Sequence, residues 1–177
     1  SHNLMVYIRG HAGDYNHWRQ LGCGGWAYRD VLPYFKRAES FSSRPSEYRG
    51  HQGPMQLKLS SDDNPLIELF IKAVQEAGFP RTDSFSASQL EGVGRFDLNI
   101  ISGNRLDTGR AYLWDIMARK SLSVELNAYA NRLIFEGTTA VGLEYRKEGW
   151  VKQARASREI IVCAGAINTP QLLMLSG

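Results

Sequence analysis

At 177 residues, 43% hydrophobic and 22% charged, the chain has the size and composition of one ordinary domain with a packed core. Its formal charge of +3 is spread without a Lys/Arg block, which argues against a nucleic-acid surface. No apolar run approaches the roughly 20 residues that a membrane-crossing helix needs, so no transmembrane segment is expected. Cys23 and Cys163 lie far apart with no metal-type spacing and read as two reduced thiols packed as small hydrophobes. The start shows no signal-peptide pattern. Location stays open, with a soluble, cytoplasmic protein as the expectation.

Residues 14–21 read as a short helix, capped by Asp14 and placing Tyr15, Trp18 and Leu21 on one face. A second helix spans 28–39 through Val31, Leu32, Phe35 and Ala38, and Pro33 is tolerable there only in the first turn. Between them, "GCGGWA" (22–27) has the spelling of a dinucleotide fingerprint. It follows an amphipathic helix rather than a buried strand, so it reads as a glycine-rich helix-to-helix turn. The Ser-, Arg- and Gly-rich stretch 40–53 reads as a loop, and 83–94 as a second irregular span. Met55 to Leu59 alternates apolar and polar residues, the pattern of a strand with one wet face. Asn64-Pro65 opens the clearest helix, with Leu66, Leu69, Phe70, Ala73, Val74 and Ala77 as its buried stripe and Gly78 as its stop. Residues 107–119 also read as helical, with Tyr112, Leu113, Ile116 and Met117 inward.

From Leu122 the pattern turns to β: 122–126, 132–135, 140–145 and 150–154, three of which make a meander. Residues 158–163 carry the apolar run Ile160, Ile161, Val162, Cys163, as a strand buried on both faces does, and Thr169-Pro170 looks like a helix entry. Trp18, Trp26, Tyr34 and Phe35 sit at helical spacings and are most simply core. His11, His17 and His51 lack ligand-type spacing and read as surface or capping residues. Glu39, Asp62, Asp63 and Glu91 offer no paired-carboxylate geometry.

The opening "SHNLMVYIRGH" sets small polar groups directly before an apolar segment. Together with "GWAYRDVLPYFKRAE", "RAYL" and the terminal "CAGAINTPQLLMLSG", it resembles the glucose-methanol-choline (GMC) family of flavoprotein alcohol oxidoreductases, choline dehydrogenase-like members in particular. The resemblance covers nearly the whole chain and corresponds to the middle of the family pattern. The family's N-terminal glycine fingerprint and its C-terminal catalytic His find no match here. A segment of a larger enzyme, inactive alone, is therefore expected.

The resemblance implies an α/β fold, α+β as an isolated fragment. Residues 1–53 would form the flavin loop and helical part of an FAD-binding domain, 54–120 the start of a substrate or cap region, and 121–177 the meander with the terminal strand and helix. It implies FAD as cofactor, with Asn3 and the backbone of Leu4, Met5 and Val6 beneath the flavin ring. His2, by similarity to choline oxidase-like members, would bond the flavin 8-methyl group covalently; the competing origin of "SH" is a remnant of tag cleavage. Ala130, where Val is usual, and Ala164 with Gly165 would lie on the adenine side, where small residues let a ligand approach the backbone. Asp107-Thr108 stands where the family has Ser-Thr, and the added charge puts a role for that spot in doubt. The implied activity is hydride transfer from a small-molecule alcohol to flavin, with no catalytic residue in this chain and no metal. The alternative is a non-catalytic binding or structural module derived from the family.

Overall fold

The computed structural model describes residues 4–61 and 63–177; the readings made for His2, Asn3 and Asp62 lie outside them. The chain forms two compact units, Ser1–Arg119 and Lys120–Gly177. Helices and small sheets mix in both, in keeping with the α/β expectation.

In the first unit, α1 spans Ala12–Gln20. Its cap is His11 rather than Asp14: the His11 Nδ1 accepts from the Gly13 N–H at 3.0 Å, and Asp14 Oδ2 accepts back from the His11 N–H at 3.1 Å. An imidazole here does what Ser or Asn usually does, and Asp14 becomes the third helical residue of a capping box. Residues 22–27 turn the chain into α2 (Tyr28–Ala38), as the helix-to-helix reading expects. Pro33 sits in the second turn of α2, not the first, so the helix gives up one backbone bond there. The aromatic residues do not form a core. Tyr15 meets Trp18 and Phe35 edge-on at 5.1 and 5.5 Å, yet Trp18, Trp26 and Tyr34 remain exposed, a surface cluster over α1 and α2.

The stretch read as a loop opens with a strand, β1 (Glu39–Phe41), which pairs in parallel with β2 (Met55–Leu59), Glu39 opposite Met55. β3 (Asp97–Leu98) lies antiparallel on the other side of β2. The connection between β1 and β2 folds so tightly that a Cβ on Gly50 would stand 1.7 Å from the Lys36 carbonyl oxygen, and one on Gly53 2.3 Å from the Glu39 nitrogen. Only glycine fits at either position. β4 (Ile100–Ile101) and β5 (Asn104–Arg105) form a short antiparallel pair. Phe41, Met55 and Leu57 make one buried apolar cluster, flanked by Tyr7, Leu106 and Ala111, and Ala27, Val31, Ile71 and Val93 are buried elsewhere in the unit.

α3 (Pro65–Glu76) begins as the sequence predicts, with Asn64 Oδ1 accepting from the Leu66 N–H at 3.0 Å. Its buried face is a different one. Ile71 is 2% exposed with Ile67 and Val74 partly covered beside it, whereas Leu66, Leu69 and Phe70 lie open. A helix with apolar residues on most of its circumference fits either face inward, so periodicity alone assigns the wrong one. Residues 107–119 also depart from a regular helix. Gly109–Leu113 is a π-helical turn followed by a 3₁₀ turn at Trp114–Ile116, and Tyr112, Leu113 and Met117 are exposed. Asp107 Oδ1 accepts from the Arg110 N–H at 2.9 Å, which holds that carboxyl below its ordinary pKa and makes Asp107 a local cap.

The second unit is the expected meander: β6 (Tyr129–Glu136), β7 (Thr139–Lys147) and β8 (Trp150–Arg155), all antiparallel. The first predicted strand, 122–126, is irregular. α4 (Gly165–Met174) packs on β6 near its C-terminal end, where the Leu133 N–H donates to Ser176 Oγ at 2.8 Å and Leu133 and Leu172 are buried. The apolar run 158–163 is not a paired strand: Ile161 is 76% exposed and Cys163 is a free, exposed thiol, as is Cys23. A strand buried on both faces needs neighbours on both sides, and among the described residues none pairs with this run.

Truncation should separate the two faces of α3. In the 177-residue chain, Ile71→Ala is expected to cost about 2–5 kcal/mol in urea unfolding, while Leu69→Ala stays within about 0.5 kcal/mol. Equal losses would place Leu69 in the core.

Candidate functional site

Among the described residues of the first unit, the buried charged side chains are Arg9, Glu39, Arg49 and Asp97, brought together from the chain before α1, from β1, from the β1–β2 connection and from β3. Glu39 Oε1 accepts from Arg49 Nε at 2.6 Å and from the Gly50 N–H at 3.1 Å, and it lies 2.6 Å from Arg9 Nη2. Arg49 Nη1 donates to Asp97 Oδ2 and, at 3.2 Å, to Ser84 Oγ. Arg9 Nη1 donates to the Tyr48 carbonyl at 2.5 Å. The guanidinium carbons of Arg49 and Arg9 lie 3.9 and 5.3 Å from the ring centres of Phe41 and Phe35, so flat aromatic faces cover part of each cation. Two positive and two negative groups cancel.

Burial opposes the Arg49 cation, but hydrogen bonds to Glu39 and Asp97 outweigh it and hold its pKa above the ordinary value. Burial pushes the Asp97 carboxyl up against the pull of Arg49, and Asp97 Oδ1 has no hydrogen-bond partner in the structure. Burial, and next the Glu39 charge, raise the Tyr7 phenol. Beside Arg49 a cavity of about 370 Å³ opens; its other cations, Arg44 and Arg81, are held by Asp83 at 2.7 Å and Glu68 at 3.2 Å.

The flavin segment expected at 4–6 runs alongside β3. The Tyr7 N–H donates to the Asp97 carbonyl at 2.8 Å, and the Asn99 N–H to the Met5 carbonyl at 3.0 Å, so Val6 and Leu98 face each other as a non-hydrogen-bonded pair. In that geometry the N–H and C=O of Val6 point away from β3. Met5 holds a left-handed backbone, φ 67°, which an unbranched residue adopts only where its surroundings impose it. Leu4 is 82% exposed.

The remaining expected residues lie in the second unit. Ala130 sits in β6 opposite Tyr145 and is exposed; Ala164 and Gly165 open α4, Gly165 with φ 93° and nothing within 4 Å of where a Cβ would stand. The Ala164 N–H donates to Thr169 Oγ1 at 3.1 Å, which fixes the turn before the helix. Leu4, Met5 and Val6 thus form one strip in the first unit, and Ala130 and the 164–165 turn are separate features of the second. His51 ties β1 to the following connection, its Nδ1 2.6 Å from the Phe41 carbonyl oxygen, and His11 is the helix cap. Among the described residues no group of three or more His, Cys, Asp or Glu could hold a metal ion.

Two local features stand out among these residues: a backbone edge at Val6 that β3 does not engage, and an unobstructed turn of small residues at 164–165 leading into a helix N-terminus. Sequence reasoning missed the buried charges. Spacing gives Glu39 no role, because no second carboxylate neighbours it in sequence. Its one signal was the spacing to Phe41 within a strand, which puts both side chains on the same, inward face.

The model of the GMC oxidoreductase family matches residues 1–177, and the chain belongs to that family. It is 45% identical over 175 residues to the mitochondrial choline dehydrogenase of Mus musculus, a match covering 99% of this chain and 29% of that protein. Against the oxygen-dependent choline dehydrogenase of Rhizobium etli (strain CIAT 652) the identity is 43%, covering 99% of this chain and 32% of the relative. Among solved structures, pyridoxine 4-oxidase from Mesorbium loti superposes with a TM-score of 0.87 at 31% identity, over 99% of this chain and 35% of that one. An FAD-dependent oxidoreductase from Chaetomium thermophilum gives 0.88 at 28% identity, over 99% and 33%. The chain spans about a third of the length of the relatives that it matches. No helix among the described residues is long and apolar enough to cross a membrane.

Because the folded pKa of Asp97 is raised, its contribution to stability is full below the ordinary Asp value of about 3.9 and is lost as pH rises through the higher folded value. Asp97→Asn is expected to remove that decline and flatten stability against pH in the acid range, measured by urea unfolding. An unchanged profile would show that Asp97 ionises in the folded chain as it does in water.

Proposed function

We propose that this chain is the flavin-contacting portion of an FAD-dependent, choline dehydrogenase-like alcohol oxidoreductase. The observation that carries the reading is the strip 4–7: a left-handed Met5 and a Val6 whose N–H and C=O face outward, in the position where family resemblance puts the floor of the flavin ring. Bound FAD would supply the hydride acceptor for oxidation of an alcohol to an aldehyde or ketone.

This chain's residues would bind and orient. Asn3 and the backbone of residues 4–6 would present donors toward the polar edge of the ring, where negative charge grows during reduction. Ala130, Ala164 and Gly165 would serve the adenine side, their small side chains leaving backbone accessible. His2 would bond the flavin 8-methyl carbon through a ring nitrogen in place of one methyl C–H, the proton going to solvent and the two electrons through the flavin to the electron acceptor. No residue of this chain is assigned the proton of the alcohol; that step belongs to a His elsewhere in the protein. The choline dehydrogenases among the relatives make choline the first alcohol to test, with oxygen and an artificial dye as the alternative electron acceptors.

The test is the visible spectrum of the protein carrying this chain, expressed with excess FAD, before and after acid precipitation. Flavin absorption is expected, with yellow colour in the precipitate that His2→Ala moves to the supernatant. Gly165→Val, which sets a branched side chain at φ 93°, is expected to lower flavin occupancy at least tenfold with an unchanged circular dichroism spectrum. A colourless protein, without choline-dependent dye reduction or oxygen uptake, overturns the reading; colour released by acid overturns only the bond to His2.

A further inference from the structure

The four buried charges and the strip beside β3 form one closed circuit. The Tyr7 N–H bonds the Asp97 carbonyl, the Asp97 carboxylate bonds Arg49, Arg49 bonds Glu39, and Glu39 lies against Arg9, two residues beyond Tyr7. Arg9 is gripped at both ends, its Nη1 by the Tyr48 carbonyl and its own carbonyl by the Tyr15 hydroxyl. Outside the circuit the strip has a second tie, the Asn99 N–H on the Met5 carbonyl, two residues after Asp97. The Tyr7 and Arg9 ties are therefore to groups that cannot shift without uncovering a buried charge, and Met5 is tied to the backbone two residues beyond one of them. A left-handed residue other than glycine, such as Met5, persists only under such over-determination.

We propose that Arg9, Glu39, Arg49 and Asp97 are positioning residues that set the register and depth of the strip 4–7, and through it the seat of the flavin ring. The inference rests on the functional reading above. None of the four is assigned a contact with cofactor or substrate; each would act through backbone atoms of Met5 and Tyr7. A purely structural role would lower stability when the cluster is altered and leave the bound flavin's properties as they were.

Two substitutions test this in the full flavin-loaded protein. Glu39→Gln removes the central charge and keeps its shape; Arg9→Lys keeps the charge and removes the planar fork, and it serves as the variant to study should Glu39→Gln fail to fold. Arg155→Ala, which breaks the exposed pair with Glu136, is the control. Amide hydrogen exchange at Tyr7 and Asn99 is expected to speed at least tenfold in both cluster variants, and the flavin midpoint potential and absorption maximum to shift, with kcat falling at little-changed KM. The control should match the unsubstituted protein. A folded Arg9→Lys variant with unchanged exchange and unchanged midpoint potential overturns the proposal. Should the unsubstituted protein hold no flavin, the functional reading fails by itself. The exchange rates still decide between a strip held by the cluster and one indifferent to it.

Discussion

Two arginines and two carboxylates removed from water must neutralise one another in place, and the first unit is arranged around that requirement. Taking each ion out of water costs several kcal/mol after relaxation, while a contact of 2.6 Å returns about 6 kcal/mol at an effective dielectric constant near 20. Close geometry is what makes the balance favourable, although the pairing is incomplete: Arg9 Nε and Asp97 Oδ1 have no hydrogen-bond partner. The glycines of the β1–β2 connection bring the chain close enough to Lys36 and Glu39 for that pairing, Phe41 roofs the Arg49 guanidinium, and β3 delivers Asp97 from the far side of the sheet. The apolar cluster of Phe41, Met55 and Leu57 and the charged one share residues 39–41, so packing and pairing stand or fall together.

What could be read from the residues alone divides along the range of the interactions involved. α2, α3, β2 and the meander follow from local periodicity, caps and turn residues, and all four form within a residue or two of expectation, except that the meander's first strand starts earlier, at Tyr129. Where long-range partners decide, the local pattern misleads. Leu66, Leu69 and Phe70 satisfy a helical stripe as well as Ile67, Ile71 and Val74 do, and only the neighbours of α3 choose between them. Arg49 looks like one more charge in a polar loop, since its partners stand 10 and 48 residues away. The π turn at 109–113 has no pattern of its own either; it is visible only in the backbone.

The family resemblance carried the function further than spacing could, because its segments are long and in order. For the expected flavin residues the structure adds a local physical description: an outward backbone edge at Val6, left-handed Met5, and an open turn at Gly165. It also shows large apolar side chains on the surface, among them Phe70, Ile161, Ile167 and Met174, a density more typical of surfaces that meet other protein than of a free face in water. The relatives are about three times as long as this chain.

The charged circuit also bears on how the first unit reaches its native state. Only the Arg49–Glu39 attraction is local, at ten residues; the ties from Arg49 to Asp97, 48 residues away, and from Arg9 to Glu39 form only once the chain has closed longer loops. Until the last member arrives, an arginine or carboxylate that has entered the interior early is unpaired, and that intermediate lies uphill of both the open chain and the finished unit. Partly assembled forms are thereby depopulated, and the transition acquires an all-or-none character that the small apolar core could not impose by itself.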